Sequence, residues 1–204
     1  MNPFKDYEDV LSISSSFYRK YYKDHRRRHL ILGINPGRFG GGLTGVPFTD
    51  PKHLVANCGL EYAGSSAHEP SSVFVYEVIK AFGGEDEFYG KFYIHSICPL
   101  GLTLLQSNGK EVNCNYYDSK ELQASLFDFI VDNLRTQVSF DVYTDVCFCL
   151  GTGKNERFLK ELNKQFAFFE KIISLEHPRY IMQYKSKQKE AYIQKYVDAF
   201  TSVL

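Results

Sequence analysis

At 204 residues, with 44% hydrophobic and 16% aromatic residues, the chain has the length and apolar content of one globular domain with a sizeable core. Its 24 basic residues balance 24 acidic ones, which argues against bulk electrostatic attraction to nucleic acid while leaving room for a local basic groove. No run approaches the roughly 18 consecutive apolar residues of a membrane span, and five cysteines with no C-x-x-C pair argue against a disulfide framework, a zinc site or a four-cysteine cluster. The cysteine usage fits a reducing cytoplasm as the expected location, and the start, MNPFKDYEDV, is polar and acidic and does not read as a signal peptide.

In chain order, a helix of weak periodicity is expected over about residues 4–24, overlapping a basic stretch, RKYYKDHRRRHL, at 19–30. His29–Ile34 reads as a buried strand and runs into a loop rich in glycine and proline. Ser71–Phe82 carries Val75, Val78, Ile79 and Phe82 at helical spacing, and Phe92–Cys98 reads as a second buried strand. Asp118 with Glu121 three residues later predicts a capping box ahead of LQASLFDFIVDNL. Asp145–Leu150 and Lys171–Leu175 read as the third and fourth strands, with Cys147 and Cys149 on one face of the third, as core. Helical stripes follow each: Phe158, Leu159, Leu162 and Phe166, then Tyr192, Ile193, Tyr196, Val197 and Phe200. A second basic stretch, YKSKQK, spans 184–189.

Strands alternating with helices predict an α/β fold, a single three-layer α/β/α domain over residues 1–204 with a four-stranded parallel sheet. Ligands of such sheets bind beyond the C-terminal strand ends. The four expected exits are the unusual segments GINPGRFGGGLTGVPF, HSICPLGL, GTGKN and EHPRY, which predicts one cleft where they converge.

Gly40, Gly42 and Gly45 match the dinucleotide spacing G-x-G-x-x-G, but Val46 and Pro47 follow at once, where that fingerprint requires a helix. In GTGKN, Phe148 stands where a phosphate loop has its first glycine and Asn155 where it has Ser or Thr. Neither segment reads as a nucleotide site.

The stretch GINPGRFGGGLTGVPF (33–48) closely resembles the first motif of the uracil-DNA glycosylase superfamily, nearest to the single-strand-selective monofunctional branch. HPR at 177–179 resembles an abbreviated second motif, and HSICPL at 95–100 resembles that branch's H-N-H-C-P-L. The resemblance implies a metal-free, cofactor-free, monomeric monofunctional DNA glycosylase of base excision repair. It would hydrolyse the N-glycosidic bond of uracil, hydroxymethyluracil or xanthine in single- or double-stranded DNA.

It also implies roles. Asn35 positions the attacking water and His177 donates a hydrogen bond to the base oxygen that gains charge, because the departing base is an anion and the sugar becomes cation-like. Phe48, thirteen residues after Asn35, takes the place of the aromatic that stacks on the extruded base. Gly37 and Gly40–Gly42 keep side chains out of the way of that base. Ser96 replaces the asparagine that reads the uracil edge. Arg179 and Tyr180 occupy the place of the loop that enters the minor groove, and Lys185 and Lys187 lie near enough for flanking phosphates. Two rivals remain at this point: a module of the same fold that binds a modified base or single-stranded DNA without cleaving it, and an enzyme of free nucleosides.

Overall fold

The computed structural model describes Phe4 and residues 9–64 and 67–204. Four short apolar segments, β1 (His29–Gly33), β2 (Phe92–Ser96), β5 (Tyr143–Leu150) and β6 (Lys171–Leu175), form a parallel sheet in the order β2-β1-β5-β6. β1 is buried along its whole length, with helices over both faces, as its unbroken apolar sequence requires. The chain leaves β1 towards β2 on one side and reaches β5 on the other, so the end of β1 is a topological switch point.

The pleat sorts side chains between two cores. Ile31, Phe92, Ile94 and Phe148 face α1 (Val10–Tyr22), α4 (Pro70–Phe82) and the last helix, α10 (Lys189–Thr201). Phe200 of α10 sits at the centre of this face, with ring centroids 4.8 Å from Phe92 and 4.9 Å from Phe148. Leu30, Leu32, Cys147 and Cys149 face α7 (Phe127–Val138) and α8 (Lys154–Phe166), through Ile130, Leu134, Phe158 and Leu159. Both cysteines are therefore core residues, as their alternation predicts.

Other elements depart from expectation. An antiparallel hairpin, β3 (Leu102–Leu105) and β4 (Glu111–Cys114), follows β2, turned by Gly109 at φ 78°. The glycine loop contains a single helical turn, α2 (Gly41–Thr44), and then α3 (Pro51–Ala56); α5 (Glu85–Lys91) precedes β2. Asp118 does not cap a helix: its carboxylate accepts from the Asn115 amide at 2.8 Å, and Ser119 Oγ accepts from Leu122 N at 3.1 Å to start α6 (Lys120–Ser125). Of the opening helix expected from residue 4, residues 5–8 lie outside those described. The basic stretch 19–30 sits at the far end of the sheet from the strand exits, where Arg28 is buried and donates to the carbonyls of Tyr89 and Tyr21. Arg28 is thus an internal brace, whereas Arg19, Lys20, Lys23, Arg26 and Arg27 are exposed, away from the exits.

Phe200→Ala removes the ring on which Phe92 and Phe148 converge. It should cost about 3–5 kcal/mol, read as a fall in the urea midpoint at unchanged m-value.

Candidate active site

Asn35 leaves β1 two residues beyond its end, and the hairpin holds its amide from both sides. Nδ2 donates to Cys114 O at 3.1 Å, and Oδ1 accepts from Tyr116 N at 3.4 Å. These bonds set which end is oxygen and leave one N–H and one lone pair for a ligand. Arg38 adds a second brace, its backbone N donating to Asn113 Oδ1 at 3.2 Å and its guanidinium to Glu111 O at 2.6 Å. The third strand exit is used structurally: buried Asn155 accepts from Tyr116 Oη at 2.8 Å and donates to Leu150 O at 3.1 Å.

His177 is the N-cap of α9 (Pro178–Tyr184), where a family-type loop was expected. Pro178 has no N–H, so the first amide available to the cap is that of Arg179, which donates to His177 Nδ1 at 3.1 Å. With Nδ1 accepting, the neutral ring carries its hydrogen on Nε2. Burial, and then the Arg179 guanidinium, push the imidazole down to about 4, so the ring is uncharged at neutral pH.

Phe48 lies across from His177, ring centroids 5.9 Å apart. Its backbone is left-handed at φ 53°, an unusual conformation for an aromatic residue that aims the ring onto Gly33. A Cβ at Gly33 would stand 2.5 Å from Phe48 Cζ. Gly33 is paired in register with Ser96, which places Ser96 on the strand beside the end of β1, while Phe48 and His177 face each other there.

The space above Gly37 and Gly40 is taken by the Glu69 carboxylate, which a Cβ at either position would strike. These two glycines thus admit a side chain of the protein itself, a correction to the expectation that they keep room for a base. Burial, with Asp50 adding to it and Arg179 opposing it, raises Glu69 to about 7. Asp50 anchors this corner: its fully buried carboxylate accepts from His53 N at 2.9 Å and from Glu69 N at 2.8 Å. Ser72 Oγ and Asp50 Oδ1 both meet the same His53 nitrogen, Nδ1, so this trio is no serine–histidine–aspartate relay.

Asn35, Gly37, Glu69, His177, Arg179 and Tyr180 line one cleft of about 300 Å³, with Asn113 and Asn115 at its hairpin side. Two expected exits, the first and fourth, converge there. Ser96 borders a neighbouring cleft of about 340 Å³ that shares Pro36, and Lys154 of the third exit borders a separate groove. Lys185 is half-buried and Lys187 exposed, just beyond α9; Lys189 is turned aside by Glu77 at 2.6 Å. Sequence reasoning missed Glu69, Asp50 and the hairpin braces. Of these, only the Asn108–Gly109 turn signal pointed to the hairpin.

A profile of the uracil DNA glycosylase superfamily matches residues 19–201. The chain belongs to this superfamily. Among solved structures it is similar to SMUG2 of Pedobacter heparinus, at 57% identity and a TM-score of 0.97, over 100% of this chain and 87% of that one. A search of curated proteins returns no match. The family match and this neighbour support DNA glycosylase activity on uracil-like bases. Among the described residues no helix is long and apolar enough to cross a membrane.

The cap bond predicts the state of His177. Ring-nitrogen NMR should show a neutral Nε2–H tautomer at pH 6 and a midpoint near 4. Because the unfolded ring binds its proton at higher pH, its contribution makes stability fall as pH drops from about 6.5 to about 4. An imidazolium at pH 6 would contradict the assignment.

Proposed function

We propose that the chain is a monofunctional glycosylase of base excision repair, acting in the cytoplasm as a monomer on uracil, hydroxymethyluracil or xanthine in DNA. The observation that carries this reading is His177. Its Nδ1 is committed to the Arg179 amide, which makes Nε2–H a donor in the cleft that also holds the doubly anchored Asn35. A neutral donor hydrogen-bonds a base oxygen as it gains charge, and a preorganised one does so without reorganising.

In this mechanism the base leaves the stack and lies against Phe48, while Asn35 offers its remaining N–H and lone pair to a water aimed at C1′. The C1′–N bond breaks with its electron pair on the base, His177 Nε2–H meets the anionic oxygen, and the water closes on the cation-like sugar. No lysine lines the cleft among the described residues, which supports attack by water over an amine and hence no lyase step. Arg179, Tyr180, Lys185 and Lys187 hold the strand from α9 and the turn after it, with Tyr180 43% exposed.

Single-turnover excision from single- and double-stranded oligonucleotides, scored as alkali-labile sites, tests this directly. Asn35→Ala and His177→Ala should each slow the chemical step by roughly 10²–10³-fold, with binding to abasic-site DNA retained. His177→Ala also removes an N-cap, at a cost of about 1 kcal/mol, so its folding is checked alongside. Near-wild-type rates in either variant would overturn the mechanism.

Ser96 tests base choice. One hydroxyl cannot supply the paired donor and acceptor of an asparagine amide, so readout of the uracil edge is relaxed. Ser96→Asn should raise excision of uracil relative to xanthine. An unchanged ratio would remove Ser96 from base recognition.

A further inference from the structure

Glu69 stands immediately before α4, its backbone amide tied to Asp50 Oδ2 at 2.8 Å. Its carboxylate lies over Gly37 and Gly40 on the wall of the cleft that also holds Asn35 and His177. Among the described residues no hydrogen bond ends on that carboxylate, in contrast to Asp50, which accepts three from His53 and Glu69. A carboxylate with a purely structural task satisfies its oxygens within the fold. This one is held by its backbone and turned to the cleft.

We propose that Glu69 is a catalytic residue, the general base that takes the proton of the water held by Asn35 and whose charge faces the cation-like sugar. The inference rests on the glycosylase reading above and assigns to a second element a carboxylate that Asn35 does not supply. In the step, the C1′–N bond breaks and its electron pair departs with the base. The water oxygen bonds C1′ while its proton passes to Glu69. The base anion takes a proton from solvent, and Glu69 returns one to solvent, so the sum is hydrolysis.

The charged and titratable groups facing Glu69 are Asp50 at the start of α3, and Arg179 and His177 of α9. His53 and His68 stand one step behind, against Asp50 at 2.7 and 3.4 Å. Burial places Glu69 near 7, so a base there is poised for work at neutral pH, and His177, near 4, does not titrate in the same window.

The test is the pH dependence, from 5 to 9, of single-turnover uracil excision from single-stranded DNA. The wild-type rate should rise up to tenfold per pH unit and level off near 7. Glu69→Gln, which keeps the shape over the two glycines, should lose about 10²-fold and the acidic limb with it. Glu69→Asp should keep the limb at a reduced rate, and His68→Asn should keep limb and rate. Wild-type rates in E69Q, or the limb persisting there, would overturn the inference and leave the glycosylase reading intact; so would a folded E69D without the limb. Failure of the wild-type chain to excise any of the bases would overturn the glycosylase reading and this inference together.

Discussion

The Asp50 carboxylate is the constraint on which the site depends. It is fully buried, yet it accepts from the amide and ring of His53 and from the amide of Glu69. Burial alone raises its pKa, and those hydrogen bonds more than reverse that, leaving it lowered and ionised. One side chain thereby joins the end of the glycine loop, the first turn of α3 and the start of α4. Phe48 lies two residues before it, and its left-handed backbone costs on the order of 1–3 kcal/mol. That conformation persists because Asp50 on one side, and Thr44 bonded to Thr49 O at 2.7 Å on the other, leave the loop no alternative.

Two carboxylates so close together have been driven in opposite directions. Asp50 has donors and stays charged, whereas Glu69 has burial without donors and is raised to about 7. Such a split between neighbouring titratable groups is how one site assigns a structural anion and a proton acceptor. The signs differ in stability as well. The Asp50 contribution is present above its unfolded pKa and fades as pH falls through its lowered folded value. Glu69, raised in the fold, withdraws stability as pH climbs from its ordinary range through about 7.

The sheet was legible because β1 is buried along its whole length and β2, β5 and β6 each feed apolar residues into the two cores, and Cys147 and Cys149 announced their face by alternation. Asn35 was picked out by the long first motif, and His177 by the three residues HPR that resemble an abbreviated second one. Glu69 was not, since what marks it is two glycines more than two dozen residues earlier that leave space for its carboxylate. The glycines mark missing side chains in the sequence, but which group fills the gap is a tertiary fact. The hairpin escaped for a related reason. Its Leu104 and Leu105 are 58% and 71% exposed, so no core-facing alternation betrays the strands, and its value lies in hydrogen bonds sent back to Asn35 and Arg38. Arg28 is only one residue of a basic stretch in the sequence, because sequence alone cannot show three backbone carbonyls waiting inside the fold.

The segment after β6 shows how little sequence a chemical instruction needs. Proline at the first helical position lacks an N–H, so the capping histidine must reach one residue further, to Arg179. That reach occupies Nδ1 and writes the tautomer. The same arginine then acts through its charge, pushing the His177 imidazole down and opposing the rise of Glu69. A neutral donor and a carboxylate drawn back towards ionisation face each other across one cleft because three consecutive residues, His177, Pro178 and Arg179, begin a helix there. A loop in that place would leave the imidazole free to take either tautomer, and the donor would have to be selected at each turnover rather than built in by folding.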